Sequence, residues 1–249
     1  MNDTVLIGLS GLVALRQELA VIANNVANID TDGYKSSGAL FSQYLSSNAV
    51  DQQGDPLAFV TNAGGWTDMS EGPIQHTGNA LDVAIDGNGF FAVQTANGLR
   101  YTRNGAFQLN ASGQIVTSAG DPVLGNGRPI TLQPGDHQIS INRDGIISVR
   151  QGNSTAETQR GQITLANFTN GQLQKDGKNY FAPVNNAQPQ TTNSTVVQGA
   201  LEKSNVSGVL EISRMIEVTR SYQQVAAMMK QQGDLDQSAI DKLAEVPTA

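Results

Sequence analysis

Cysteine is missing from the 249 residues, histidine occurs only at His76 and His137, Trp66 is the single tryptophan, and aromatic residues make up 5% of the chain. The first absence removes disulfides, thiolate nucleophiles and cysteine-ligated zinc or iron–sulfur centres. The second removes any two-histidine zinc motif at helical spacing, and each histidine reads as a surface residue. Charge is scarce too: 15 basic against 22 acidic residues give a net charge of −7, which repels a phosphate backbone or an anionic lipid surface. Nucleic acid is therefore not an expected partner. Polar residues interrupt every apolar run before the ~20 residues that span a bilayer, so no membrane insertion is expected. Met1-Asn2-Asp3-Thr4 carries no positive n-region, which argues against a cleaved signal peptide and leaves a cytoplasmic protein or one exported by another route.

What the chain has instead is glycine, 26 residues, with abundant Asn, Gln, Ser and Thr, the composition of turns and hydrogen-bonding strands. Helical periodicity is confined to the two ends. Val5, Gly8, Leu12, Leu15, Leu19, Ile22, Val26 and Ile29 follow alternating spacings of three and four, a heptad seam that is apolar except at Gly8. Such a helix requires a partner helix, and Gly33 marks its stop. At the other end Ser204 or Asn205 can cap a helix running from Val206 to about Gln232. Val209, Ile212 and Ile216, then Val218, Tyr222, Val225 and Met229, form a stripe that changes register once, wide enough for more than one neighbour. Beyond Gly233 a separate short amphipathic piece carries Leu235, Ile240 and Leu243.

Between residues 77 and 198 the period becomes two. Asn88-Gly89, Asn97-Gly98, Asn104-Gly105, Asn126-Gly127, Asp144-Gly145, Asn170-Gly171 and Asp176-Gly177 are hairpin signals, because Asn and Asp tolerate positive φ and Gly has no Cβ to clash. Leu81 to Ile85 alternates, and Ile139-Ser140-Ile141 turns through Asp144-Gly145 into Ile147-Ser148-Val149. Residues 36–76 have weak periodicity and read as an extended connector. The expected fold is α+β: helices over 1–35 and 199–249 that build an intermolecular coiled-coil-like bundle, with an all-β domain at 77–198 inserted between them.

Motifs for chemistry fail on inspection. Gly8-Leu9-Ser10-Gly11 lacks the spacing and the preceding strand of a nucleophile elbow. Gly87-Asn88-Gly89 begins a dinucleotide fingerprint, but Ala92 stands where the third glycine belongs, so it reads as a hairpin. Asp82 and Asp86 share a strand face without any further sign of glycosidase chemistry. Asn153-Ser154-Thr155 is a glycosylation sequon only in a eukaryotic secretory context. No catalytic residue, metal or cofactor is expected. A wall-cleaving hydrolase and a surface or phage fibre adhesin are the competing readings; the first lacks an acid pair set in a pocket, the second an aromatic-lined patch.

The helix end reads Ile22-Ala23-Asn24-Asn25-Val26-Ala27-Asn28-Ile29-Asp30-Thr31-Asp32-Gly33-Tyr34-Lys35. It resembles the signature of the bacterial flagellar rod, hook and hook-associated proteins, in which Ala23, Asn24, Asn25, Val26, Ala27, Asn28, Thr31, Gly33 and Tyr34 are the matching positions. Leu81 to Phe91, Tyr101-Thr102-Arg103-Asn104-Gly105-Ala106-Phe107, Gly199 to Val206 and Arg220-Ser221-Tyr222-Gln223 resemble the same family. Length points to the rod, and Asn79 to Ala84 with Leu201 to Val209 to its proximal rather than its distal part. The resemblance implies a non-enzymatic subunit that polymerises through its terminal helices and transmits torque from motor to hook. Leu12, Leu15, Leu19, Ile22, Val26, Ile29, Val209, Ile212, Ile216, Tyr222, Val225 and Met229 would form the assembly interface. Implied partners are copies of itself, other proximal-rod subunits, the distal rod protein and the flagellar type III export apparatus. The implied location is the basal body in the periplasmic space, reached without signal cleavage. Phe41 and Leu45 resemble the apolar pair that the export gate reads.

Overall fold

A computed structural model describes residues 2–50, 56–152, 156–169, 171–190 and 193–244. The sequon at Asn153 to Thr155 and Asn170 lie outside the described residues, as do the side chains of Leu45 and Leu243. In chain order the elements are α1 (Asn2–Ala27), β1 (Ser37–Val50), β2 (Pro56–Thr67), β3 (Ile74–His76), β4 (Val83–Asp86), β5 (Phe90–Thr95), β6 (Gly98–Thr102), β7 (Gln108–Leu109), β8 (Ile115–Val116), β9 (Leu124–Gly125) and β10 (Arg128–Pro129). They continue with β11 (Asp136–Ile141), β12 (Ile146–Gln151), β13 (Glu157–Gln162), β14 (Leu165–Ala166), β15 (Leu173–Lys175), β16 (Tyr180–Pro183), β17 (Thr195–Gln198), β18 (Ala200–Glu202) and α2 (Gly208–Ala244). The fold is α+β. One compact unit comprises Met1–Ala27, Ser37–Trp66 and Ser207–Ala249; the other comprises Asn28–Ser36 and Thr67–Val206.

In the helical unit α1 packs along α2. Gly8 lies against Met229, where an added Cβ would sit 3.0 Å from Met229 Cγ, and Ile22 and Asn25 share a small cavity with Glu211. The helices are therefore antiparallel, and the one non-apolar seam position is small because a methionine fills the space beside it. Two boundaries differ from expectation. α1 ends at Ala27, so Ile29 is off the helix: the Thr31 amide and hydroxyl both bond to Asn28, giving the chain a turn to adopt in place of another helical turn. α2 passes through Gly233 without a break, so the last piece is part of one helix. A single glycine costs a helix only ~1 kcal/mol. The Gln232–Asp236 and Gln237–Asp241 side-chain bonds span the following turns.

The stretch 36–76, expected as a connector, is extended but paired: β1 and β2 form a two-stranded sheet of their own. Leu40, Tyr44, Val60 and Trp66 are exposed on it. α1 packs against β1, and the Ser10 hydroxyl accepts from Val60 N at 3.3 Å, but no described residue of the two strands is fully buried, so they have little reason to alternate and their period is illegible.

The β-rich unit is built from antiparallel pairs. Its largest sheet has the order β14-β5-β6-β16-β15, and a second runs β11-β12-β13. β5 is buried on both faces: Phe91 and Val93 enter a core with Val83, Ile85, Phe107 and Ile147, while Phe90 and Ala92 enter another with Tyr101 and Phe181. Asn126-Gly127 joins β9 to β10 and Asp144-Gly145 joins β11 to β12, as their turn chemistry indicates. Gly87-Asn88-Gly89 does not make a hairpin. It links β4, which pairs with β17, to β5, which pairs with β6, so the chain changes sheets at this point. Pairing of β17 with β4 and of β18 with β3 brings residues 195–202 beside 74–86. The paired strands of this unit therefore run from Ile74 to Glu202.

Candidate assembly interface

The seam residues divide by burial. On α1, Ile22 is 3% exposed and Leu12, Leu15, Leu19 and Val26 are half-buried. On α2 the covered positions are Glu211, Met215, Val218, Tyr222, Val225 and Met229, at alternating spacings of four and three. Val209, Ile212 and Ile216 belong to a different face and are 78%, 52% and 50% exposed. Val5, Leu6, Leu9 and Val13 on α1 are likewise uncovered. Large apolar side chains are thus exposed on both helices, and each would contribute ~1.5–3 kcal/mol if fully buried. Ile29 is half-buried in the other unit.

α1 also corrects the expectation about bilayer-spanning length. Val5–Ala27 is long and apolar enough to cross a membrane, with a mean hydropathy of 1.7. Gly8, Ser10, Gly11, Gln17 and Asn24 cut the apolar run into short pieces, but only Arg16 and Glu18 are charged in that span, so the average stays high.

The signature is divided between the two units. Ala23 and Asn24 are exposed, while Asn25 is buried and brackets the start of β1: its Nδ2 donates to Ser37 O at 2.8 Å and its Oδ1 accepts from Ser37 N at 2.9 Å. Asn28 holds the turn through Thr31. In the β-rich unit Gly33, Tyr34 and Lys35 are buried. Gly33 has φ +66°, donates to Glu202 O at 2.7 Å, and lies so close to Arg103 and Asn104 that a Cβ would meet the Asn104 nitrogen at 2.4 Å. Only glycine satisfies both demands.

Next to Gly33 lies an arrangement that no sequence pattern announced. The Lys35 ammonium donates to Glu202 Oε1 at 2.6 Å and to Ser70 O at 2.5 Å. Arg103 Nη1 donates to Glu202 Oε2 at 3.0 Å and Nη2 to Gly87 O at 2.7 Å, and Gly72 N adds a bond to Glu202 Oε1 at 2.9 Å. All three charged side chains are at most 1% exposed. Burial pushes the Lys35 ammonium below its ordinary pKa, and the Glu202 carboxylate opposes that shift. Around this triad Asn205 Oδ1 accepts from Ser36 N at 2.7 Å, Asn205 Nδ2 donates to Asp68 O, and Lys203 pairs with Asp32 at 2.7 Å. Three of the blocks quoted above, around Lys35, Arg103 and Glu202, thus meet in one buried ion cluster. Each of the three is a charged residue within a quoted block, and no spacing links them.

Lys175 covers the cluster from β15, with its ammonium 4.1 Å from the centre of the Tyr34 ring and donating to Lys35 O. Burial pushes its pKa down to about 8. Between about 8 and the ordinary lysine value, unfolded chains hold a proton that folded chains have released, so stability rises with pH across that window. The melting temperature of the wild type should therefore gain on that of Lys175→Met as pH rises from neutral towards the ordinary lysine value; a constant difference would show that Lys175 does not titrate there.

Phe41 is half-buried on β1. Asp82 accepts from the Thr77 hydroxyl and from Asn79 Nδ2, and so holds a turn. Among the described residues no group of three or more metal-ligating side chains occurs.

Three family models match the chain: flagella basal body rod protein over residues 6–35, flagellar hook protein FlgE/F/G D1 domain over 84–149, and flagellar basal body rod FlgEFG protein C-terminal over 197–242. The chain belongs to the flagellar basal-body rod protein family, a family of structural proteins and not enzymes. It is 38% identical to flagellar basal-body rod protein FlgF of Caulobacter vibrioides, over 99% of this chain and 100% of the relative. It is 34% identical to FlgF of Mesorhizobium japonicum over 98% of both, and 36% identical to FlgG of Agrobacterium fabrum over 87% of this chain and 90% of the relative.

Proposed function

We propose that this protein is a proximal-rod subunit that polymerises through α1 and α2, with copies of itself and with homologous rod proteins, and carries torque from the motor towards the hook. The observation that carries the reading is the second apolar face: α1 and α2 cover one seam with each other and leave Val209, Ile212 and Ile216 for a neighbour. The near-complete two-way coverage with the FlgF relatives favours the proximal over the distal rod. In this reading the apolar length of α1 serves helix packing and not a bilayer. Arg16 and Glu18 stand at the middle of Val5–Ala27, where a membrane would charge ~2.5–3.5 kcal/mol for each ionised group. Leu12, Leu15, Leu19, Ile22 and Val26 line the seam, and Tyr222, Val225 and Met229 oppose it.

The domain plan that accompanies this reading places axial helices at 1–35 and 199–249 and the β domain between them, in the periplasmic part of the basal body. Export proceeds through the flagellar type III apparatus with no signal removed, Phe41 and Leu45 being offered to the gate while the chain is unfolded. Basal bodies purified from a deletion strain carrying an epitope-tagged copy should contain the subunit within the rod with its original N-terminus. Its absence from rods of motile, complemented cells would overturn the proposal.

A further inference from the structure

We infer that Arg214 is a latch: when a neighbouring rod subunit covers its flank of α2, its guanidinium turns inward and joins the carboxylates of Glu18 on α1 and Glu211 on α2. The inference rests on the assembly reading above and adds to it a contact that each subunit completes within itself only on assembly. Glu211 stands in the first turn of α2, about five helical turns before Met229 and so on the face turned to α1, with its side chain 9% exposed. Its Oε1 faces Arg214 Nη1 at 3.7 Å, beyond hydrogen-bond range, and its Oε2 is enclosed with no hydrogen-bond partner among the described residues. Glu18 is half-buried on α1 and makes no ion pair among the described residues. Both carboxylates border one cavity of about 70 Å³, together with Asn25, Trp66 and Arg214. A buried carboxylate oxygen without a donor is costly, and two acids against one base leave the cavity net negative.

The occupant is the cation that already stands at the cavity's edge. At ~30 Å³ per water, the space admits about two waters or the planar head of one arginine. A guanidinium carries its donors in a fixed fork that can serve both carboxylates, and the Trp66 indole on the same cavity offers it a stacking face. In the free chain the side chain of Arg214 is 59% exposed, and hydration holds it outward, because an exposed ion pair is worth little. Glu217, three residues on and exposed, is within reach of that outward position. Leu210, one turn before Arg214 on the same flank, is 66% exposed, and Trp66 is 45% exposed. A subunit that covers these apolar side chains takes water from the guanidinium beside them, and the inward position then gives that charge two carboxylates in place of its hydration. Coverage therefore shifts the balance between the two positions, and closure ties α1 to α2.

A zero-length cross-link reads the two positions. In a full-length chain carrying Arg214→Lys, a water-soluble carbodiimide condenses the introduced amine with a carboxylate in contact with it, forming an amide while the carbodiimide takes up the water and leaves as a urea. Peptide mass spectrometry should find position 214 joined to Glu18 in isolated rods, and in the free chain about tenfold less of that link, with Glu217 joined instead. In a second arm, Glu18→Arg and Arg214→Glu should each lower recovery of the subunit in rods by about tenfold, and the two together should restore it. Where the Arg214→Lys chain enters rods, the cross-link decides: no link to Glu18 there, or as much of it in the free chain, overturns the latch and leaves the assembly reading intact. Where that chain stays out of rods, the charge exchange decides, and failure of the double variant to recover overturns the latch. Wild-type chain absent from rods would remove both readings.

Discussion

Glu202→Ala should lower the unfolding free energy of the β-rich unit by about 3–5 kcal/mol, a loss of roughly 10 °C in its melting temperature. The size follows from what remains behind. Lys35 Nζ and Arg103 Nη1 would keep their burial and lose their shared counter-charge, and the Gly72 amide would lose its acceptor. An ammonium and a guanidinium cannot both remain in a space closed to water without an anion, so the segments that carry them must open or Lys35 must release a proton. Replacing Lys35, Arg103 and Glu202 together by apolar residues of similar volume should recover much of the loss, because the cost lies in the orphaned charges more than in the missing pair. Circular dichroism melts combined with hydrogen exchange at β4, β6 and β18 would resolve the unit from the helices. If Glu202→Ala melted within ~2 °C of the wild type, the triad would have no structural weight.

The second large effect concerns assembly. Leu19→Asp with Ile22→Asp puts two carboxylates on the covered face of α1, at a position 3% exposed in the case of Ile22, and an unpaired charge there costs at least several kcal/mol. The pairing of α1 with α2 should fail, and with it the bundle that the proposed function requires, so cells should lack filaments and be non-motile. The β-rich unit contains neither residue and should melt as in the wild type. Subunit must be detected outside the cytoplasm for the result to bear on polymerisation, since the same stretch can be read during export. Normal motile flagella from the double variant would mean that this face is not the polymerisation element.

Legibility in the sequence followed the distance over which each feature is determined. The α1 seam was readable because residues three and four apart decide it, and the turns at Asn126-Gly127 and Asp144-Gly145 because two residues decide them. The end of α1 differs from the seam's end by two residues, where a side-chain turn competes with the helix, and Gly233 suggests a stop because its cost is visible in the sequence and the bonds that offset it are not. β1 and β2 hid in a segment without a buried face. The ion triad was beyond any local reading. Lys35 and Glu202 are 167 positions apart, and Arg103 and Glu202 are 99 apart. No spacing rule links such positions; what the sequence showed was three charged residues in separate motif blocks, with nothing to say that they touch.

Those separations also have a kinetic side. Ribosomes deliver a chain from its N-terminus at ~5–20 residues per second, so Lys35 emerges roughly 8–33 s before the carboxylate that neutralises it. β18, which carries Glu202, and β17 close the unit onto strands made more than a hundred residues earlier. Loop closure over such spans is slow, and contacts of this range form late. During that interval the nascent β-rich segment carries a lysine and an arginine that oppose its collapse, and premature compaction is disfavoured by the same charges that later hold the native state shut. If the chain travels unfolded, as the proposed function has it, the late synthesis of this one glutamate works as a delay.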